Sequence, residues 1–134
     1  MASASNDLKN LKKIAVDTNM LLSIAQFKID IFSMLNEMFG KSEIFIPKQV
    51  LREMDLIEKK NLTQKKEVGI AKQLLEKNNV KVIEIESHNA DSALLELAKR
   101  GFLIATNDRE LRQNIKTVGG QIIYLKRKKF LEIG

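Results

Sequence analysis

The chain of 134 residues contains no cysteine and no tryptophan, and it has only one histidine, one proline and one tyrosine. The absence of cysteine excludes disulfide bridges and thiolate metal sites. The single histidine, His88, argues against a histidine-rich zinc site. A bound metal ion would therefore have oxygen ligands, which Mg²⁺ and Mn²⁺ prefer.

Long apolar runs are also missing, since none approaches the ~20 residues that a membrane-spanning helix needs. The first residues, Met1-Ala-Ser-Ala-Ser-Asn6, have no apolar segment of the kind found in secretory signals. We therefore expect a cytoplasmic protein without membrane contact. We expect residues 1–12 to form a flexible tail and residues 13–134 to form one domain that ends in a basic tail.

The charge balance favours a polyanionic partner. The chain has 23 basic and 17 acidic residues, which gives a net charge of +6. If the four acids discussed below are set aside, 13 acids remain against 23 bases, and the rest of the molecule carries +10. Nucleic acid is the first partner to expect from this balance, although a solvated lysine-rich surface would have the same composition.

Short apolar runs alternate with segments of helical periodicity. The runs predict strands at residues 13–16, 43–46, 80–85, 102–105 and 121–125. The helical segments are residues 20–27, 31–39, 47–59, 64–77, 89–100 and 108–115. Strands that alternate with helices imply crossover connections, so we predict an α/β fold with a mainly parallel, five-stranded sheet covered on both faces.

Four carboxylates interrupt or follow these apolar stretches: Asp17, Glu53, Asp91 and Asp108. Asp17 ends the first strand, and Asp108 lies just past the fourth, so both belong to the carboxyl edge of a parallel sheet, where such folds place their functional crevice. Four carboxylates gathered in one crevice would repel one another unless a divalent cation held them together. The pattern therefore indicates a metal site.

Each acid also has a purely structural explanation. Asp17 can cap the helix that follows it. Glu53 shares a helical face with apolar Val50 and Met54, so it needs a polar cleft or a basic partner. Asp91 falls in a first helical turn, where acids interact well with the helix dipole.

Asp108 lies in a possible capping box, formed by Asn107 and by Glu110 three residues later. For each acid the structural explanation stays open. The presence of all four, in order along the chain, is what favours a functional site.

The ordered set resembles the PIN-domain ribonucleases. That family is similar in its strand-borne Asp17-Thr-Asn19, its helical Glu53, the later Asp91 that opens a helix, and the final Thr106-Asn-Asp108. The resemblance covers residues 13–125. The segments Ile104-Ala-Thr-Asn-Asp-Arg-Glu-Leu111 and Gly119-Gly-Gln-Ile-Ile-Tyr124 are most similar to PIN proteins of small-subunit rRNA processing. VapC-type toxins are the other large branch of the family.

The resemblance implies a three-layer α/β/α fold and hydrolysis of RNA that depends on one or two Mg²⁺ or Mn²⁺ ions. It implies that Asp17, Glu53, Asp91 and Asp108 bind metal, directly or through water, and carry the catalysis. Thr106 would orient the site, and Asn19 would add a polar contact. This chain departs from many relatives at Ser92 and Asn107, where they carry a further acid beside the third or fourth position.

Basic residues outside the acidic set would hold RNA. Arg109 and Arg112 are the best placed, because they follow Asp108 and lie three residues apart on one helix. The other candidates are Lys59-Lys60, Lys65-Lys66 and the run from Lys126 to Lys129. With six phenylalanines and one tyrosine, base stacking is poorly supplied, so we expect contacts to the RNA backbone.

Three other functions are compatible with the sequence. A member of the same family could bind RNA as a scaffold without cutting it. A toxin ribonuclease would also recognise an antitoxin partner, and apolar residues in the tail and first helices could form a homodimer. A phosphoacceptor signalling domain would place acids at strand ends beside a lysine such as Lys126, although Glu53 fits that class poorly.

Overall fold

Six strands and six helices alternate along residues 11–134, the part of the chain that this computed structural model describes. The strands are β1 (Lys12–Val16), β2 (Ser42–Pro47), β3 (Lys81–Ile83), β4 (Leu103–Ala105), β5 (Ile122–Lys126) and β6 (Phe130–Ile133). The helices are α1 (Thr18–Phe27), α2 (Ile31–Phe39), α3 (Lys48–Lys60), α4 (Leu62–Lys77), α5 (Ala90–Lys99) and α6 (Arg109–Thr117). The tail expected at residues 1–12 lies outside the described residues up to residue 10, whereas Lys12 already belongs to β1.

All six strands form one sheet in the order β3-β2-β1-β4-β5-β6. Strands β1 to β5 are parallel to one another, and β6 pairs antiparallel with β5. Strands β2 and β3 follow β1 toward one edge of the sheet, and β4 lies on the other side of β1, followed by β5 and β6 toward the other edge. In sheets of this kind, ligands bind beyond the carboxyl ends of the two strands at which the order reverses. Here those strands are β1 and β4.

The sixth strand was not predicted. Residues from Lys126 onward were expected to form a basic tail, but they reverse in a turn in which the Lys129 N–H donates to the Lys126 carbonyl at 3.1 Å. The chain then pairs with β5 in the register Tyr124↔Glu132. The prediction of five strands was wrong because the charged residues at the turn conceal the short run of apolar residues that follows.

The central strands are covered on both faces, which explains their continuous apolar sequence. Ile14, Ala15 and Val16 of β1 and Ile104 of β4 are fully buried within a core that helices on both faces of the sheet complete. Helix α1 packs against α4, and α5 packs against α6. The architecture is the predicted α/β/α sandwich. Along residues 11–134, none of the helices is long and apolar enough to cross a membrane.

Polar side chains define most helix starts, as their capping preference requires. The capping residues whose side chains accept a backbone N–H are Asp17, Asp30, Asn61, Asn89 and Asp108. Pro47, expected inside the first turn of α3, instead ends β2 and precedes the helix. Its fixed φ suits either place, so sequence alone does not distinguish them.

Two glycines should respond in opposite directions to alanine. A Cβ on Gly120 would lie 2.7 Å from Ile115 Cγ2, whereas a Cβ on Gly69, inside α4, would meet no atom within 4 Å. We predict that Gly120→Ala lowers the free energy of unfolding by about 1–3 kcal/mol through overpacking. Gly69→Ala should raise it by up to about 1 kcal/mol by improving helix propensity. Urea denaturation measures both, and changes of the same sign would contradict this packing.

Candidate active site

The centre of the site is a hydrogen-bonded link between the ends of β1 and β4. The Thr106 hydroxyl donates to Asp17 Oδ2 at 2.8 Å, and the oxygen of the same hydroxyl accepts from the Asp108 N–H at 3.1 Å. The Asp17 N–H donates to the Ala105 carbonyl at 3.0 Å. Thr106 is fully buried. It therefore holds two of the predicted acids in a fixed relation at the point where the strand order reverses.

Asp17 is a buried carboxylate, with only 4% of its surface exposed. Its Oδ1 accepts from the Thr18 N–H at 2.8 Å, which also caps α1. No basic side chain in the described part of the chain forms an ion pair with it. Burial raises the pKa of Asp17 to about 6, against the opposing effect of the hydrogen bonds from Thr106 and Thr18.

Neighbouring carboxylates contribute to this rise in the pKa of Asp17. The negative charge of Asp91 acts on it, followed by that of Glu53. Asp91, exposed in the first turn of α5, has its own pKa raised by partial burial and by the charges of Asp108 and Glu110. The four predicted acids are thus electrostatic neighbours, although they come from four separate places in the chain.

Asp108 caps α6, since its Oδ1 accepts from the Leu111 N–H at 2.8 Å. The capping box that Asn107 and Glu110 could have formed is absent, because Asp108 is the N-cap. Asn107 instead accepts the Leu125 N–H at 2.7 Å and so fastens the loop after β4 to β5. The second carboxylate oxygen of Asp108 is not needed for the cap.

Glu53 is exposed, whereas Val50 and Met54 on the same helix are buried. The prediction that it lies on the core-facing stripe was wrong, because a residue three positions from Val50 is rotated roughly 60° to the flank of that stripe. It forms no ion pair with Arg52 or with any other described base. Glu53 is linked to the site by its negative charge, which contributes to the raised pKa of Asp17.

Sequence reasoning missed Glu110 as a member of this group. Glu110 lies in the first turn of α6, two residues after Asp108, and its charge helps to raise the pKa of Asp91. It was assigned to a capping box, which the structure does not form. Its spacing from Asp108 is the signal that could have identified it, because both residues flank the start of one helix.

The residues predicted to contact RNA differ in how far they are exposed to solvent. Arg109 is exposed at the first position of α6, and Asn19 is exposed in the first turn of α1. Arg112 is half-buried, with its guanidinium 4.4 Å from the centre of the Tyr124 ring. Arg109 and Arg112 are therefore not equivalent, since stacking on the ring holds Arg112 toward β5.

The side-chain atoms available at the site are of the kind that bind a divalent cation. They are oxygen atoms, and the buried Thr18 Oγ1 beside Asp17 has no hydrogen-bond partner among the described residues. No three acidic or histidine side chains within residues 11–134 converge on one point as they stand. Glu53, Asp91 and Glu110 are exposed, however, and such side chains can turn toward a cation that offsets their repulsion.

Comparison with known proteins gives relatives along nearly the whole chain. Ribonuclease VapC9 of Archaeoglobus fulgidus is 37% identical over 123 residues, which cover 88% of this chain and 87% of that protein. Ribonuclease VapC4 of Methanocaldococcus jannaschii is 28% identical over 125 residues, which cover 90% of this chain and 95% of that protein.

A solved structure of the PIN domain endonuclease Utp24 is similar in fold. Its TM-score is 0.75 at 21% sequence identity, and the match covers 90% of each chain. The model of a PIN-like domain matches residues 14–128, which include all four predicted acids. The resemblance inferred from the ordered acids is confirmed, and this chain belongs to the PIN-like domain family.

Proposed function

We propose that this protein is a ribonuclease that depends on Mg²⁺ or Mn²⁺ and hydrolyses RNA phosphodiester bonds at the carboxyl ends of β1 and β4. The observation that carries the proposal is the buried Asp17 carboxylate, which has no basic partner among the described residues and lies among further acids. Two relatives that cover most of this chain are named ribonucleases, which supports the same activity.

Asp17, Asp91, Asp108 and Glu53 would hold the cation, directly or through water. When bound, the cation would supply an activated water and neutralise the charge that develops on the phosphate. Thr106 keeps the Asp17 carboxylate oriented through its hydrogen bond to Oδ2. Glu110 provides a fifth carboxylate, in place of the further acid that many relatives carry where this chain has Ser92 and Asn107.

Proton transfer at this site would fall to carboxylates. His88 is exposed in the segment before α5, and the chain has no cysteine. Carboxylates are therefore the groups in the described part of this edge that can accept a proton from an attacking water near neutral pH. Arg109, exposed directly after Asp108, would bind a phosphate of the RNA, and Asn19 would add a polar contact.

The relatives favour a VapC-type ribonuclease over the expected factor of rRNA processing, because both named ribonucleases are VapC proteins, at 37% and 28% sequence identity. A toxin role would appear as growth arrest on expression, relieved by an antitoxin partner.

The phosphoacceptor alternative is excluded by strand order: flavodoxin-like signalling domains have the order 2-1-3-4-5, whereas this sheet begins β3-β2-β1-β4.

Removing a site carboxylate should abolish cleavage and spare RNA binding. We predict that Asp17→Asn and Asp91→Asn each reduce cleavage of an end-labelled single-stranded RNA, in Mn²⁺ or Mg²⁺, by at least about 100-fold. Residues that only support metal ligands already cost 10–100-fold when changed, and a ligand should cost at least as much. Wild-type cleavage should stop in EDTA.

The matched control is Asp55→Asn, which removes the same charge from α3 beside Glu53. The Asp55 carboxylate pairs with Lys72 at 2.6 Å and is not among the charges that act on Asp17 or Asp91, so cleavage should be unchanged. If wild-type protein binds RNA but never cuts it in either metal, the scaffold function replaces the one proposed. If both site variants cut as well as wild type, the carboxylate site is wrong.

Asp17 should make the metal-free protein less stable as the pH rises. Because its pKa is about 6 in the folded state and about 4 when unfolded, the folded state holds a proton that the unfolded state has released between these values. The stabilisation present below pH 4 is therefore lost as the pH rises through 6.

In EDTA at pH 8, Asp17→Asn should consequently melt at a higher temperature than wild type, by an amount worth at most about 3 kcal/mol. The difference should vanish near pH 3, which is below both pKa values, so that Asp17 is protonated in both states. Added Mn²⁺ should raise the melting temperature of the wild type only, since a ligand stabilises the state that binds it. Thermal denaturation at the two pH values tests this, and a more stable wild type in EDTA at pH 8 would contradict it.

A further inference from the structure

The hairpin between β5 and β6 carries four consecutive bases, Lys126-Arg-Lys-Lys129, and is called the basic hairpin below. Because β5 is parallel to β4 and β1, its last residue lies at the same edge of the sheet as Asp17 and Asp108. Strand β5 is two places from β1, and neighbouring strands lie ~4.8 Å apart, so the hairpin begins about 10 Å to the side of Asp17.

The turn itself does not favour these residues. Arg127 and Lys128 have φ values of +54° and +59°, which lie in the left-handed region. They are the central residues of the β-turn from Lys126 to Lys129, and turns with positive φ at both central positions strongly prefer Asn-Gly. A residue with a long side chain in that region costs of order 1 kcal/mol or more. The basic side chains are therefore present in spite of the backbone geometry, which indicates that they act outside the turn.

Contacts from the site side hold this part of the sheet rigidly. The Leu125 N–H donates to the Asn107 side chain at 2.7 Å, which links β5 to the loop that bears Asp108. Arg112 of α6 stacks on the Tyr124 ring at 4.4 Å, and the Tyr124 hydroxyl donates to Glu132 of β6 at 2.7 Å. The basic hairpin therefore has a fixed position relative to the acids.

Within the basic hairpin the four charges are not equally engaged. Lys126 pairs with Glu132 at 3.3 Å, and the Lys128 ammonium lies 5.3 Å from the centre of the Phe27 ring at the end of α1. Arg127 and Lys129 are exposed and form no ion pair with any residue of the described chain. Two bases thus anchor the hairpin, and two are presented to solvent.

We propose that the basic hairpin binds the phosphate backbone of the RNA beside the acidic site, with Arg127 and Lys129 as its principal contacts. The proposal rests on the ribonuclease function proposed above. An RNA strand that lies across the carboxyl edge from β1 to β5 would pass from the carboxylates to this concentration of positive charge. Arg127 can offer two parallel N–H groups to one phosphate, whereas Lys129 acts as a point charge.

The test removes the two exposed bases in the double variant Arg127→Asn/Lys129→Gln, which keeps the anchoring Lys126 and Lys128. Asparagine occupies the left-handed region at position 127 more readily than arginine does. Relief of the left-handed strain should leave the melting temperature unchanged or raise it, so a loss of binding would not reflect unfolding. Affinity for a fluorescein-labelled single-stranded oligouridine is measured by anisotropy in EDTA, where the RNA stays intact.

We expect affinity to fall at least about tenfold at 50 mM salt. The slope of log K against log salt should become less steep by about 1.4, because each phosphate contact on a single strand contributes about 0.7. The matched control is Lys41→Gln/Lys77→Gln, which removes two exposed lysines at the opposite edge of the sheet, before β2 and before β3. It should leave both affinity and slope close to wild type.

Unchanged affinity and slope in the hairpin variant would overturn the proposal, as would an equal loss in the control. If poly-L-glutamate binds wild type through the hairpin and RNA does not, the surface recognises an acidic polypeptide and the proposal is wrong. Because binding is measured without metal, it is independent of cleavage. A protein that binds RNA through the hairpin and never cuts it would refute the proposed activity and leave the hairpin proposal standing.

Discussion

The hydrogen bond from Thr106 to Asp17 joins the two strands at which the sheet changes direction, and the geometry of the candidate site depends on it. The bond fixes one oxygen of a carboxylate that the fold has removed from water. Burial of an acid without a basic partner is unfavourable, and the raised pKa of Asp17 expresses that cost. A bound cation would offset that cost, and this is the physical basis of the proposed metal site.

The rest of the site follows from the topology of the sheet. Parallel strands bring the residues after β1 and β4 together at one edge, and the first turns of α5 and α6 add acids to the same place. The continuation of β5 into the basic hairpin places positive charge beside these acids. A fold of this kind can thus separate a negative centre from a positive flank without long loops.

The sequence was sufficient to predict where Asp17 and Asp108 lie in the fold, because the ends of short apolar runs identify the carboxyl edge of a parallel sheet. It did not predict how Glu53 faces, since a three-residue offset on a helix places a side chain either on the apolar stripe or at its flank. Glu110 was missed because a capping box and a site acid have the same local sequence. Only the structure showed that Asp108 is the cap and that Asn107 binds β5.

Strand β6 could not be predicted from the sequence for a different reason. Its pairing with β5 depends on a turn at Arg127 and Lys128, whose left-handed backbone has no signal in a run of basic residues. A turn made of Asn-Gly would have predicted the hairpin at once. The same mismatch between residue type and backbone is what points to a separate role for those side chains.

The most direct test of the metal site is an anomalous difference map from crystals soaked in Mn²⁺. The proposed site predicts a peak at the carboxyl ends of β1 and β4, coordinated by Asp17 and by at least one other of the site acids, and absent from crystals of Asp17→Asn. A protein that cleaves RNA in Mn²⁺ while its crystals bind the ion only at other positions would contradict the assignment of these carboxylates.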